Sequence, residues 1–361
     1  MTPHASFSRA LTHATALSSA LVALAATVLR AQPPAPRTHA SGPRPHAVSR
    51  QPTPCPTPSR TAGGAGSLAG PVPGVIDVHW HAAMAPGDLR SPSGVAQRRA
   101  TMAQLDSLGA TCLIVNGVPD ALAVWTEEYP DRVIPTLLFP CENGIATNFG
   151  RPCFPGGAVV PDTAWLRAEL RARRLRSLGE ITAQSMGIAP DDERLEPYFA
   201  LAEEFDVPVA IHVGIGPPAA AYPESPVPVK SPNFRAAAGR PFLLERVLLK
   251  HKRLRLSIMH AGWPLVDETI SLLYHHPNVY VDVGVLQWAI PPQAFRGGVR
   301  KLVEAGYADR VMLGSDSGVE MLRRGIQAVQ AMEFLTPEQR RGILCRNAAR
   351  FYRLDSMVVC P

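Results

Sequence analysis

The chain has 361 residues, 46% of them hydrophobic and 18% charged, enough for one large domain or two ordinary ones with a sizeable core. Its formal charge of +6 sits at one end: residues 1–76 hold Arg9, Arg30, Arg37, Arg44, Arg50 and Arg60 with no Lys, Asp or Glu, leaving 30 basic residues against 30 acidic ones in the remainder. The basic excess therefore says nothing of a nucleic-acid groove on the main domain, and no nucleic-acid partner is expected.

The amino terminus reads as an export signal. Arg9 lies in a polar start, residues 14–29 form an almost unbroken apolar and small-residue run, and Leu29-Arg30-Ala31 precedes a cleavage point before Gln32. Residues 1–31 are therefore expected to be a signal peptide, with an uncleaved membrane anchor or a misassigned start as alternatives. Once the signal is cleaved, the protein is expected to be periplasmic or secreted, with no stable membrane insertion. Nine prolines between Pro33 and Pro58, among Ser, Thr, Ala and Gly, make residues 32–70 a disordered linker, because such a segment cannot bury a core. Residues 71–361 are expected to fold.

From there apolar runs alternate with helical periodicity. Strands are predicted at 75–79, 111–115, 132–138, 177–181, 207–212, 254–259, 278–283 and 310–315. Helices are predicted at 93–108, 119–128, 162–176, 191–205, 241–251, 263–275, 291–305, 319–332 and 336–350. Eight βα units over about 280 residues suit an α/β fold, a (β/α)8 TIM barrel with parallel strands and right-handed crossovers. An open doubly wound sheet lacks support, since no glycine-rich phosphate turn follows any strand.

Five of the strand ends carry acid or imidazole groups. Strand 1 ends His79-Trp80-His81, and in a strand residues i and i+2 face the same way, so both rings can reach one metal ion. Glu180 ends strand 4, His212 strand 5, His260 strand 6 and Asp316 strand 8. A lone histidine or carboxylate at a strand end is commonly a hydrogen-bonded structural group or a helix cap. Six on one rim have no ordinary packing reason, because each is costly to bury unpaired, and a divalent ion satisfies them together. Asp77 is expected to brace a neighbouring loop, and Trp80 to pack between barrel and helices. Trp263 either lines the pocket or begins a helix. His251, His275 and His276, at helix ends, are expected at the surface.

Six cysteines contain no C-x-x-C pair, which argues against a thiolate metal site. Cys141 and Cys153 bracket one polar segment and are the first candidates for a disulfide, with free thiols as the alternative, while Cys112 is expected to be simply packed. Long loops after strands 3 and 5 (140–161 and 213–240) should set specificity. In them Arg151, Lys230, Arg235 and Arg240 are cations that could clamp a substrate carboxylate, against the plainer reading of solvated loop charges.

The ordered set VIDVHWH, LGEI, PVAIHVG, IMHAGWP, NVYVDV, RVMLGSDS and NAARFY resembles the amidohydrolase superfamily, in particular the amidohydrolase-related metal-dependent barrel hydrolases and decarboxylases, over about residues 74–354. The resemblance implies that His79 and His81 bind metal with Asp316 beside it. No lysine stands after strand 4; Glu180 occupies that place, as in branches where a glutamate bridges two ions. One ion would take His79, His81, His212 and Asp316, leaving His260 to polarise a carbonyl; two ions would draw in Glu180 and His260. Zinc suits this mixed N/O set, with manganese, iron or cobalt as alternatives. The activity implied is hydrolysis of an amide, lactone or ester of a small molecule. Asp316 would carry the proton, His260 would stabilise the oxyanion, and Arg235, Arg240 and Trp263 would contact substrate. Non-oxidative decarboxylation on the same scaffold and a non-catalytic ligand-binding barrel are the alternatives. Homo-oligomerisation stays open.

Overall fold

A computed structural model describes residues 55, 74–82, 89–141, 153–224, 231–354 and 360. The expected signal peptide, all of the expected linker except Cys55, and the loop cations Arg151 and Lys230 lie outside the described residues. No helix among the described residues is long and apolar enough to cross a membrane.

Eight parallel strands form one sheet in the order β1 to β8. They are β1 Val75–His81, β2 Ala110–Gly117, β3 Val133–Phe139, β4 Ser177–Ile181, β5 Val209–Ile211, β6 Leu256–Ile258, β7 Val279–Asp282 and β8 Val311–Met312. Every strand residue is buried, which explains why the runs read as continuously apolar: a barrel strand is covered by the lumen on one side and by helices on the other. The helices are α1 Pro92–Ser107, α2 Pro119–Glu128, α3 Thr163–Arg171, α4 Glu196–Phe205, α5 Leu244–Lys250, α6 Val266–His275, α7 Leu286–Ala289, α8 Pro292–Glu304, α9 Val319–Gln330, α10 Pro337–Arg341 and α11 Asn347–Tyr352. The expected TIM barrel is the fold observed.

The ends of some elements differ from expectation for local reasons. The predicted helix 162–176 stops at Arg171, because Arg173 turns to φ 57° and reverses the chain into β4. The predicted helix 336–350 is broken by a π-turn over Gly342–Arg346, after which Asn347 donates from Nδ2 to the carbonyls of Ala308 and Val311 beneath β8. Strand 8 is only two residues long, and β8 meets β1 through few bonds: Val78 N donates to Leu313 O at 3.0 Å, Asp316 N donates to His79 O at 2.8 Å, and Trp80 bridges Ser317. Asp77 strengthens that seam. Its Oδ1 accepts from the backbone N–H of His79 at 3.0 Å and of Ser315 at 2.9 Å, the bracing expected of it.

Trp80 packs edge-on against Trp125 of α2 at 6.2 Å between barrel and helix layer, as expected. A second apolar cluster packs Phe351 and Tyr352 of α11 against Ile76, Val78, Ile114 and Met312.

All six cysteines are paired: Cys55–Cys112, Cys141–Cys153 and Cys345–Cys360, with Cα separations of 5.3, 6.0 and 5.8 Å, inside the range a disulfide spans. The pairing of Cys141 with Cys153 resolves the alternatives in favour of the bridge. Cys112 corrects the expectation of a merely packed thiol. Cys55, assigned to the linker, is buried against β2 and donates its backbone N–H to Asp131 O. Local pattern shows which face of a strand is buried but not which distant segment covers it. His251 and His276 are likewise buried and not at the surface; His251 lies between Glu196 at 3.0 Å and Glu203 at 3.2 Å, a carboxylate pair that satisfies both ring nitrogens. His275 is exposed as expected.

Candidate metal centre

The alternation of β1 sends Asp77, His79 and His81 into the lumen and Val78 and Trp80 outward. At the carboxyl ends of the strands the six sequence candidates meet as two groups that share Glu180. In the first, His79 Nε2 and His81 Nε2 lie 2.9 and 3.0 Å from Asp316 Oδ1, and each lies 3.5 Å from Glu180 Oε2. In the second, Glu180 Oε1 lies 2.5 Å from His212 Nδ1 and 3.7 Å from His260 Nε2, and those two nitrogens are 3.2 Å apart. Either group could hold a cation. The grouping differs from the one-ion set read from sequence: Glu180, not His212, completes the cage of His79, His81 and Asp316. The reason is position around the ring. His212 follows β5, between β4 and β6, and its Nε2 donates to Ile215 O at 2.7 Å, which turns Nδ1 toward Glu180.

Ring orientation is set by the backbone. His260 Nδ1 donates to Gly284 O at 2.9 Å, so its Nε2 carries the lone pair, as does Nδ1 of His212. Two lone pairs facing each other beside a carboxylate call for a proton or a cation between them. His79 Nε2 has no hydrogen bond of acceptable direction although Asp316 lies 2.9 Å away. His260 and Asp316 hold left-handed backbone, φ 54° and 59°, a conformation that non-glycine residues take at a cost of about 1–3 kcal/mol.

Two glycines are required by close approach. Gly179 has φ 150°, and a Cβ there would stand 2.8 Å from Ala210 O, next to Glu180. A Cβ on Gly314 would stand 2.6 Å from that of His79. Past β7, Gln287 Nε2 donates to Gly314 O at 2.9 Å and Trp288 Nε1 to Ser315 O at 3.1 Å, fixing the chain that presents Asp316.

A family profile described as amidohydrolase matches residues 76–354. The chain belongs to the amidohydrolase family. Members of that family usually bind a divalent metal, and here the two groups around Glu180 are the candidate ligands. No curated protein matches the chain. Among solved structures it is similar to an uncharacterised TIM-barrel protein of Bordetella bronchiseptica (17% identity, TM-score 0.53, 77% of this chain and 98% of that one). It is also similar to a probable 2-pyrone-4,6-dicarboxylic acid hydrolase of Acinetobacter baumannii (14%, 0.52, 78% and 100%). A third is a 5-carboxyvanillate decarboxylase of Novosphingobium aromaticivorans, complexed with manganese (16%, 0.52, 80% and 100%). At these identities the likeness establishes the fold, and it spans both hydrolase and lyase chemistry.

The electrostatics of this amidohydrolase site follow from burial opposed by pairing. Desolvation pushes the Glu180 carboxyl up, but contacts with His212, His260 and His79 outweigh it and hold the group well below the usual range. Asp316 is likewise raised by burial, then lowered further by His79 and His81. Burial lowers His79, yet Asp316 and Asp282 raise it well above an ordinary histidine. For His260 burial again opposes, and contact with Glu180 leads the net rise. Asp77 is raised because burial prevails over its hydrogen bonds.

Asp282 escaped the sequence reading. It ends β7 as an acid after an apolar run, the same pattern that marked the others, and it forms a third cluster of ligand-type atoms with His79 and His260. The expected substrate contacts are not gathered with the six. Arg240 is exposed and pairs with Glu268 at 2.6 Å, and exposed Arg235 donates to the carbonyls of Pro232 and Phe234. Trp263 is half-buried against the core just ahead of α6.

Proposed function

We propose that the protein is a metal-dependent hydrolase that cleaves a C–N or C–O bond of a small amide, lactone or ester. The observation that carries this reading is Glu180, whose two oxygens each face a separate ligand group. Bonds of ~2.0–2.2 Å in a tetrahedral site place ligand atoms about 3.3–3.6 Å apart. The two 3.5 Å spacings from Glu180 in the first group match this, and the 2.9 and 3.0 Å spacings from Asp316 need to open by a few tenths of an ångström. His79, His81, Glu180 and Asp316 would hold one ion; Glu180, His212 and His260 would hold a second. Zinc suits the donors, with manganese, iron or cobalt as alternatives.

A bound divalent ion polarises a substrate oxygen and lowers the pKa of water toward ~7. The chain's own residues supply the rest. Asp316 meets both imidazoles through Oδ1, and its side chain keeps 16% of its surface accessible while that of His79 keeps none. The Asp316 carboxylate would take the proton of the attacking water and return it to the leaving amine or alcohol. His260, anchored through Nδ1 to Gly284 O, presents Nε2 as a fixed group that steadies charge on the Glu180 side. Water adds across the cleaved bond, giving a carboxylic acid and an amine or alcohol.

The three disulfides support export to an oxidising compartment, which agrees with the reading of residues 1–31 as a cleaved signal.

The test is metal analysis of purified protein joined to a panel of amides, lactones and esters followed by base uptake. At least one transition-metal ion per chain and base uptake are expected, with Asp316→Asn keeping most of the metal and losing about 10²–10⁴-fold in turnover. CO2 release from aromatic acids without hydrolysis would replace this reading by decarboxylation. Absence of stoichiometric metal would overturn both.

A further inference from the structure

Asp282 is fully buried and sits behind the ligand cage. Its two oxygens have different neighbours. Oδ1 accepts from Gly284 N at 2.7 Å and from His260 N at 3.4 Å. Oδ2 lies 3.6 Å from His79 Nδ1, just beyond hydrogen-bond distance, and both atoms are buried without a hydrogen-bond partner. Nδ1 is the nitrogen of His79 that faces away from the cage, since Nε2 is the one beside Asp316 and Glu180. Gly284 completes the connection. Its N–H meets Asp282 while its carbonyl takes His260 Nδ1 at 2.9 Å. Asp282 and Gly284 thus stand between the two rings, bonded to His260 through Gly284 and facing His79 Nδ1 across 3.6 Å, with one ligand from each group on either side. Nothing larger than glycine fits at 284: a Cβ would stand 2.9 Å from Asp282 Oδ1 and 3.0 Å from His79 Nδ1.

We infer that Asp282 is a positioning residue: it keeps the proton of His79 on Nδ1, so that Nε2 is presented to a metal ion, and it ties that ring to His260 through Gly284. The inference rests on the reading of His79 and His260 as metal ligands. Asp282 itself is not needed as a ligand, because Oδ1 is occupied by two backbone N–H groups and Oδ2 is turned to a ring nitrogen. Carboxylates behind metal-binding histidines fix tautomer and orientation, and their loss weakens metal binding by about 10–100-fold.

The experiment uses zinc-loaded protein and Asp282→Asn. The asparagine oxygen can still accept from Gly284 and His260, but its NH2 group then faces His79 Nδ1 and opposes a proton there. Chelator competition should show zinc held about 10–100-fold more weakly. In 15N-histidine-labelled protein, the exchange-protected Nδ1–H of His79 present in the wild type should shift or disappear in the variant. Zinc affinity within threefold of wild type with the ring proton unchanged would overturn the inference. So would a fall in the melting temperature of metal-free protein with no change in affinity, which is what a purely structural role predicts. If Asp282→Asn does not fold, the wild-type spectrum decides, since a His79 ring without a proton on Nδ1 is incompatible with the proposal. Wild-type protein that binds no zinc but shows the Nδ1–H contact to Asp282 would overturn the metal reading while leaving Asp282 as the group that orients His79.

Discussion

Asp77 provides a direct measure of the seam that carries the site. Its Oδ1 accepts two backbone N–H groups, of His79 on β1 and of Ser315 just before Asp316. β8 is two residues long, so the chain that presents Asp316 depends on such side-chain bonds, those of Gln287 and Trp288 among them. Removing the carboxylate in Asp77→Ala leaves both donors buried. At about 1.5–3 kcal/mol per hydrogen bond to a charged acceptor, the loss should be ~3–6 kcal/mol, a large share of the 5–15 kcal/mol typical of a folded domain. Asp77→Asn keeps an acceptor oxygen and removes a charge whose burial is unfavourable, so it should lose no more than ~1–2 kcal/mol. Urea unfolding of disulfide-intact, metal-free protein, followed by circular dichroism, reads the difference as a shift in midpoint at constant slope. Equal effects of the two substitutions, or an alanine variant within ~1 kcal/mol of wild type, would show that the seam does not depend on this carboxylate.

Glu180→Gln should reduce bound metal by at least one ion, because one amide oxygen cannot serve both groups; unchanged stoichiometry by elemental analysis would remove Glu180 from the bridging role. pH should act oppositely on the metal-free and metal-loaded protein. The folded pKa of His79 is raised, so its contribution to stability is complete below about 6.5 and is lost as pH rises through the folded value. Glu180, whose folded pKa is lowered, contributes above about 4.3 and loses that contribution in acid. The melting temperature of metal-free protein should therefore fall as pH is raised from near neutral into the alkaline range, while metal affinity rises over the same range; parallel trends would refute the assignment. Thiol titration of the unfolded, unreduced protein should find no free cysteine, and six after reduction; titratable thiols before reduction would contradict the observed pairing.

The parts of the site legible in the sequence were those carried by local pattern. His79 and His81 declare themselves because strand alternation places both on one face, and Glu180, His212, His260 and Asp316 because each interrupts the end of an apolar run. Asp282 obeys the same rule, at the end of the apolar run Val279-Tyr280-Val281. Cys55 was unreadable, since its composition is that of a linker and its partner lies 57 residues away. Arg235 and Arg240 were plausible by charge alone, and only the fold reveals that Glu268 and local carbonyls occupy them.

The sequence by itself determined eight βα units and the residue types at their carboxyl ends, because hydrophobic period and strand termination are local properties. Tertiary structure alone decided which of those residues share a cage. Closing the sheet brings Asp316 of the last strand onto His79 of the first, and places Glu180 of the fourth between two pairs of imidazoles. Ligand grouping is a matter of distances of a few ångströms across a ring, with backbone carbonyls at Ile215 and Gly284 turning His212 and His260, and none of these is encoded in spacing along the chain.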